Sequence, residues 1–221
     1  MRSLLRLFIV PLPWRLKRWL LRSLYGYELH PTSRIGLAWV FPRRLIMGEQ
    51  SRIGHLTVCK GLELLAVGEH SSIGRLNWIS AYPLGQPPHF AHMTDRKPQL
   101  VIGEHAAITH RHIIDCTEAV TVGAYATVAG YRSQILTHSI DLAESRQHAK
   151  PVSIGRYSFV GTACTILGGA VVPDYSVVAA NALLNKAFEE RYRLYAGVPA
   201  KAVSQLDPGM KYFSRTSGFI V

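Results

Sequence analysis

From Ile154 onward an aliphatic residue stands at every sixth position, through Val160, Ile166, Val172, Val178 and Leu184. Four positions after each of the first five comes a small residue: Ser158, Cys164, Ala170, Ser176 and Ala182. The same phrase occurs earlier, in Val67-Gly68 to Ile73-Gly74, Ile102-Gly103 to Ile108 and Val122-Gly123 to Val128. A helix repeats its apolar face at about 3.6 residues and a lone strand at about 2, so neither gives this pattern. A three-sided coil does. Each side takes one hexapeptide, the aliphatic residue points into the axis, and the small residues fit the corners. Three hexapeptides complete a turn, and stacked turns build parallel sheets around a shared core. The pattern predicts an all-β solenoid.

Two stretches break the period and are expected to leave the prism as loops, near 80–100 and 139–151. The first is rich in proline and histidine (Pro83, Pro87, Pro88, His89, His92, Pro98), and the second ends at Pro151. Long excursions from a regular scaffold are more often functional than decorative. The expected organisation is a helix over 1–30, the coiled domain over 31–204 and a tail over 205–221. Met210, Tyr212, Phe213, Phe219 and Ile220 make the tail apolar, so it should pack on a coil face or a membrane.

Ahead of the repeat the pattern turns helical. Pro13 suits a first helical residue. Arg15, Arg18 and Arg22 then recur on one face and Leu16, Leu20 and Leu24 on another, with Trp14, Trp19, Tyr25 and Tyr27 near the boundary. A cationic face, a leucine face and interfacial aromatics suit a helix lying in the headgroup layer. An amphipathic helix packed on the rest of the protein is the alternative. Leu4 to Leu12 is too short to span a bilayer, which takes about 20 apolar residues.

The repeat resembles the hexapeptide repeat of left-handed β-helix proteins, an exception to the right-handed crossover of parallel strands. The resemblance covers residues 35–203 and implies a left-handed parallel β-helix. Within it stand Ser133-Gln134-Ile135-Leu136-Thr137-His138-Ser139-Ile140-Asp141, then Phe159-Val160-Gly161-Thr162, Asn185-Lys186 and Ala196-Gly197-Val198-Pro199-Ala200-Lys201. Their order and spacing are similar to sugar O-acetyltransferases of the galactoside and maltose acetyltransferase type. That resemblance implies acetyl-CoA as acyl donor, a sugar or glycan hydroxyl as acceptor, and His138 as general base. A neutral imidazole can take a hydroxyl proton near neutral pH. Asp141, Asp115, Glu144 or a backbone carbonyl could hold its other nitrogen.

For the acceptor, the resemblance points to the stretch around His110, Arg111 and His112, and to Gln134. Strand alternation would put Arg111 on the face opposite the two histidines. His112 and Asp115 could pair along the cleft. For the coenzyme it points to Phe159, where the family usually has tryptophan, with Gly161, Thr162, Ala179 and Ala180 allowing close approach. Lys186 and Lys201 fall where basic residues meet coenzyme phosphates, while Gly197-Val198-Pro199 suits a turn better than a contact. The resemblance also implies a homotrimer with active sites between neighbours.

Charge sharpens one point. The net charge is +11, and Arg2, Arg6, Arg15, Lys17, Arg18 and Arg22 all precede Glu28, the first acidic residue. Each Lys or Arg near an anionic leaflet contributes roughly 1 kcal/mol, so a peripheral place on the inner face of the cytoplasmic membrane is expected. No nucleic-acid motif accompanies the charge. Cys59, Cys116 and Cys164 lack metal or disulfide spacing and read as buried thiols in a reducing compartment. No metal is expected. Three other readings stay open: a sugar N-acyltransferase, a non-catalytic membrane scaffold, and a γ-carbonic-anhydrase-like site using His110, His112, His138 and His148.

Overall fold

The computed structural model describes residues 2–86 and 88–220, without the side chains of residues 2–4. The excursion's Pro87 and the side chain of Arg2 therefore lie outside the described residues. Parallel strands of two to five residues stack into two seven-stranded sheets and one nine-stranded sheet, the last closed by the antiparallel six-residue strand Ala200–Gln205, as faces of a single prism seven coils tall. The chain visits the faces in fixed order, A first at Glu28–Leu29, B (the nine-stranded sheet) at Arg34–Ile35 and C at Trp39–Phe41. Successive coils are spaced by the usual strand separation of about 4.8 Å.

The hexapeptide pattern explains the core. Ile79, Ile114, Ile135, Ile166 and Leu184 sit directly above one another on face C. All are buried, as are the other aliphatic members of the repeat. A buried residue of this kind contributes about 1.5–3 kcal/mol, and the ladder repeats on every face. The small residues have a second reason to be small. Two of the serines donate their hydroxyls to a carbonyl of the next coil, Ser71 Oγ to Gly103 O at 2.6 Å and Ser158 Oγ to Pro173 O at 2.7 Å, while Ser176 Oγ donates to Asp174 O of its own coil. The three cysteines are buried and unbridged.

The corners differ. At the A–B corner the second turn residue is left-handed in coil after coil, at His70, His105, Tyr125, Tyr157, Tyr175 and Tyr192. A left-handed non-glycine residue costs roughly 1–2 kcal/mol. Here the rings stack continuously at centroid separations of 4.6–5.4 Å, which returns about 0.5–1.5 kcal/mol per pair. The C-terminal tail runs back along this ladder. Phe213 meets Tyr175 and Tyr192 edge-on, and the Arg215 guanidinium lies 3.9 Å over Tyr212 and donates to the Tyr125 carbonyl.

Both excursions leave at the C–A corner. Between Trp78–Ser80 and Gln99–Ile102, residues 81–86 and 88–98 are irregular. The second excursion is more ordered than a loop: His138–Asp141 and Arg146–Ala149 pair as an antiparallel hairpin.

The coils begin at Glu28–Leu29, slightly before the anticipated boundary. Two helices precede them, α1 (Arg2–Ile9) and α2 (Trp14–Tyr25), where the sequence suggested one. Pro13 is the cap before α2, not its first residue, and Gly26 ends the helix in the left-handed conformation. The helix packs through Lys17 and Leu21, with Trp14, Leu20 and Tyr25 partly buried against the core, so Leu20 leaves the leucine face that Leu16 and Leu24 keep outward. Lys17 Nζ donates to Gly36 O at 2.8 Å and Val10 O at 3.2 Å, and burial lowers its pKa to about 8. Leu16, Trp19 and Leu24 point outward together with Leu5, Leu7 and Phe8 of α1. No described helix is long and apolar enough to cross a membrane.

Candidate active site

The C–A corner brings His138 onto Asp115, one coil below. His138 Nδ1 lies 2.7 Å from Asp115 Oδ2, and the same oxygen accepts from the His138 and Thr137 amides and from Thr137 Oγ1 at 2.7 Å. Asp115 Oδ1 accepts from Thr117 Oγ1 at 2.6 Å and from the Thr117 amide. Burial alone would raise the Asp115 pKa. The hydrogen bonds from His138, Thr117 and Thr137 outweigh it and hold the carboxyl at about 2. An ionised Asp115 can only accept, so Nδ1 of His138 carries the hydrogen and Nε2 keeps its lone pair. The Asp115 hydrogen bond raises the His138 pKa, against partial burial. The imidazole side chain is 45% exposed and its carboxylate partner 10%.

The first excursion steadies the ring. Phe90, buried within it, meets His138 edge-on at 6.2 Å. The Arg96 guanidinium lies 4.3 Å over Phe90 and donates to Thr117 O at 2.8 Å, Tyr82 O at 3.1 Å and Pro83 O at 3.4 Å. Arg96 thereby ties the loop to the same Thr117 that donates to Asp115. On its other side His138 borders a groove of about 600 Å³ lined also by Ser139, His148, Lys150, Gly168 and Asn185. A side chain on Gly168 would come within 2.6 Å of the Thr137 carbonyl, so the groove floor admits only glycine without a shift.

Several anticipated site residues stand in other places or roles. Asp141 lines the same groove but makes no hydrogen bond to His138; its Oδ1 accepts from the Ala143 and Glu144 amides and shapes the hairpin turn. His112 does not pair with Asp115. It is buried at the B–C corner, where Nδ1 accepts from the Ser133 amide and Nε2–H donates to Thr109 Oγ1. Burial, with a smaller contribution from His110, lowers its pKa to about 4, so it is a neutral structural bridge. His110 Nδ1 accepts from the Arg75 amide, and Arg111 takes the left-handed turn position, exposed. These three stand at the opposite end of face C from Asp115, about 10 Å along the strand. Gln134 is exposed on face C above Ile113, outside the groove.

The expected coenzyme residues also divide. Gly161, Thr162, Ala179 and Ala180 cluster at the B–C corner of the upper coils. A Cβ on Gly161 would meet the Ala180 amide at 2.7 Å, and Thr162 Oγ1 bonds the Tyr131 backbone. Phe159 lies beside Thr127 and Val177 on face B. Lys201 is on the hairpin formed by Arg193–Gly197 and Ala200–Gln205, which Gly197-Val198-Pro199 turns. Lys186 follows Asn185 on the His138 side. Within one chain a whole face separates the two groups. Among the described residues no three His, Cys, Asp or Glu side chains are placed to share a metal ion.

Thr117, Phe90, Arg96 and Gly168 carried no signal in the sequence. Each is an ordinary residue type whose role comes from what lies one coil away.

No protein-family model matches the chain, and no curated protein matches it. Solved structures do. AntD, an N-acyltransferase from Bacillus cereus solved with dTDP-4-amino-4,6-dideoxyglucose and coenzyme A, is 13% identical with a TM-score of 0.60, over 73% of this chain and 83% of AntD. The polysialic acid O-acetyltransferase OatWY is 20% identical with a TM-score of 0.58, over 81% and 84%. A maltose O-acetyltransferase from Clostridium difficile is 18% identical with a TM-score of 0.53, over 64% and 70%. The chain therefore carries the left-handed β-helix fold of the hexapeptide-repeat acyltransferases.

Proposed function

We propose that this protein transfers an acetyl group from acetyl-CoA to a hydroxyl of a sugar or surface-glycan precursor, with His138 as general base. The carrying observation is the Asp115–His138 pair at 2.7 Å, which fixes one imidazole tautomer beside an open groove. Asp115 holds the Nδ1–H. Nε2 takes the hydroxyl proton as the acceptor oxygen attacks the thioester carbonyl. The tetrahedral adduct collapses, the C–S bond breaks, and the coenzyme thiolate recovers the proton from the imidazolium. No covalent enzyme intermediate is required. A hydroxyl, unlike a free amine, is a poor nucleophile until it loses its proton, so an aspartate-oriented base suits O-acylation.

Two features support a homotrimer. Gly161, Thr162, Ala179 and Ala180 lie on a different corner from His138, so a neighbouring prism presenting its B–C corner would complete the cleft. Leu37, Leu56, Leu76, Trp78 and Ile113 are also exposed on or beside face C. The outward Leu16, Trp19 and Leu24, with arginines alongside, support a peripheral place on the inner leaflet of the cytoplasmic membrane.

The test is thiol release from acetyl-CoA against a panel of sugars and glycans, comparing wild type with His138→Ala. Turnover on one acceptor, lowered about 10²-fold or more in the variant, supports base catalysis. Unchanged turnover in the variant removes His138 from its role. If calorimetry shows no coenzyme binding, the acyltransferase reading fails and the scaffold reading replaces it.

A further inference from the structure

Four arginines converge at the N-terminal end of the prism. Arg34 and Arg52 project outward from adjacent strands of face B in direct register. Arg15 and Arg18 of α2 face them across a groove of about 650 Å³, walled by Trp14 and Thr32. No carboxylate lines the groove, and none of the four arginines joins an ion pair among the described residues. Arg18 uses one nitrogen on the Leu29 carbonyl, while its Nε is buried without a partner.

Like charges directly opposed on neighbouring strands are destabilising. On the neighbouring face the outward Arg44 meets a carboxylate, Glu28, at 2.8 Å. Four guanidinium groups around one groove without a carboxylate suit an anion from outside, and guanidinium groups match phosphate bidentately. The surroundings narrow the source. Trp19 and Leu16 stand on the outward side of the same helix, and Phe8 on α1 beside it. A ligand with phosphate in the groove thus has its apolar part next to exposed apolar side chains.

We propose that the Arg15–Arg18–Arg34–Arg52 groove binds phosphate headgroups of anionic membrane lipid while Phe8, Leu16 and Trp19 enter the acyl boundary. This rests on the peripheral-membrane reading and deepens it. The prism then stands end-on to the bilayer. His138 and Asp115 lie three to four coils up, about 15–20 Å from the docking end at the usual strand spacing. That height suits an acceptor projecting from the lipid surface better than one lying in it.

The test is vesicle flotation of the full chain, using phosphatidylcholine alone and phosphatidylcholine mixed with phosphatidylglycerol. Wild type should float only with the anionic vesicles, and less as salt rises. Arg34→Gln/Arg52→Gln should lower partitioning about 30-fold, two basic side chains at roughly 1 kcal/mol each. Phe8→Ser/Trp19→Ser should abolish it. Both variants should melt no lower than wild type, the arginine variant slightly higher for the lost repulsion, and keep turnover of a soluble acceptor. If the arginine variant floats like wild type while the apolar variant does not, the groove assignment is wrong although membrane attachment stands. If wild type floats with neither vesicle, both fail. Release from anionic vesicles by duplex DNA, but not by equivalent salt, would make the groove a nucleic-acid site and overturn the proposal.

Discussion

His138 Nδ1 and Asp115 Oδ2 lie 2.7 Å apart, although 23 residues separate them in the chain and the two occupy successive coils. The β-helix makes them neighbours because one full turn of the prism returns the chain to the same corner. The relationship fixes the tautomer of His138 and the direction of its titration.

Its first consequence is a pH profile. A raised His138 pKa means that the imidazole stays protonated, and inactive as a base, to a higher pH than an ordinary histidine. The acidic limb of kcat/KM should therefore have its midpoint above about 6.5, the reference value. Asp115→Asn should move the limb to lower pH and cost about 10²-fold or more in kcat. A limb that stays in place would show that another group titrates.

Arg96 predicts the opposite displacement. Its charge lowers the His138 pKa slightly, so Arg96→Ala should move the limb to higher pH. The substitution also leaves the Tyr82, Pro83 and Thr117 carbonyls without their donor, at a cost of about 2 kcal/mol in denaturant unfolding. Arg96→Lys should restore the limb but not all the stability. A merely structural Arg96 would change stability without moving the limb.

Gly168 tests the groove floor. Gly168→Ala places a methyl group against the Thr137 carbonyl, next to His138. Turnover should fall at least about tenfold from a small displacement of His138, and coenzyme titration should separate this from lost binding. An active, crystallisable variant with an unmoved His138 would refute the tight approach.

Ile166→Ala tests the repeat. The residue is fully buried between Ile135 and Leu184, so unfolding free energy should fall by about 2–5 kcal/mol. Phe213→Ala, which strips the tail from Tyr175 and Tyr192, should cost about 3 kcal/mol and leave the coils intact by circular dichroism.

The assembly is tested by light scattering. A trimer is the expected state, and activity should fall on dilution if neighbours complete the cleft. A stable, fully active monomer would overturn that reading.

The sequence by itself determined the solenoid, because a period of six with small residues at fixed offsets is satisfied by one local geometry repeated. Ile154 to Leu184 could be assigned to the core without knowing what any of them touches. It also marked His138 and both excursions, since the first belongs to a contiguous phrase and the others break a strict period. The sequence could not choose among Asp115, Asp141 and Glu144 as the partner of His138. Nearness along the chain favoured Asp141, whereas the pairing runs between coils, and Asp141 is spent on its own turn. His112 had the chemistry of a site residue, but the corner turned it inward and gave both its nitrogens to the backbone and Thr109. Phe90, Arg96 and Thr117 were invisible for the same reason: their roles depend on contacts across coils, which no local pattern encodes. The four-arginine groove likewise exists only once α2 folds back beside the first two coils, because that packing, and not the charge count, decides which cations face one another.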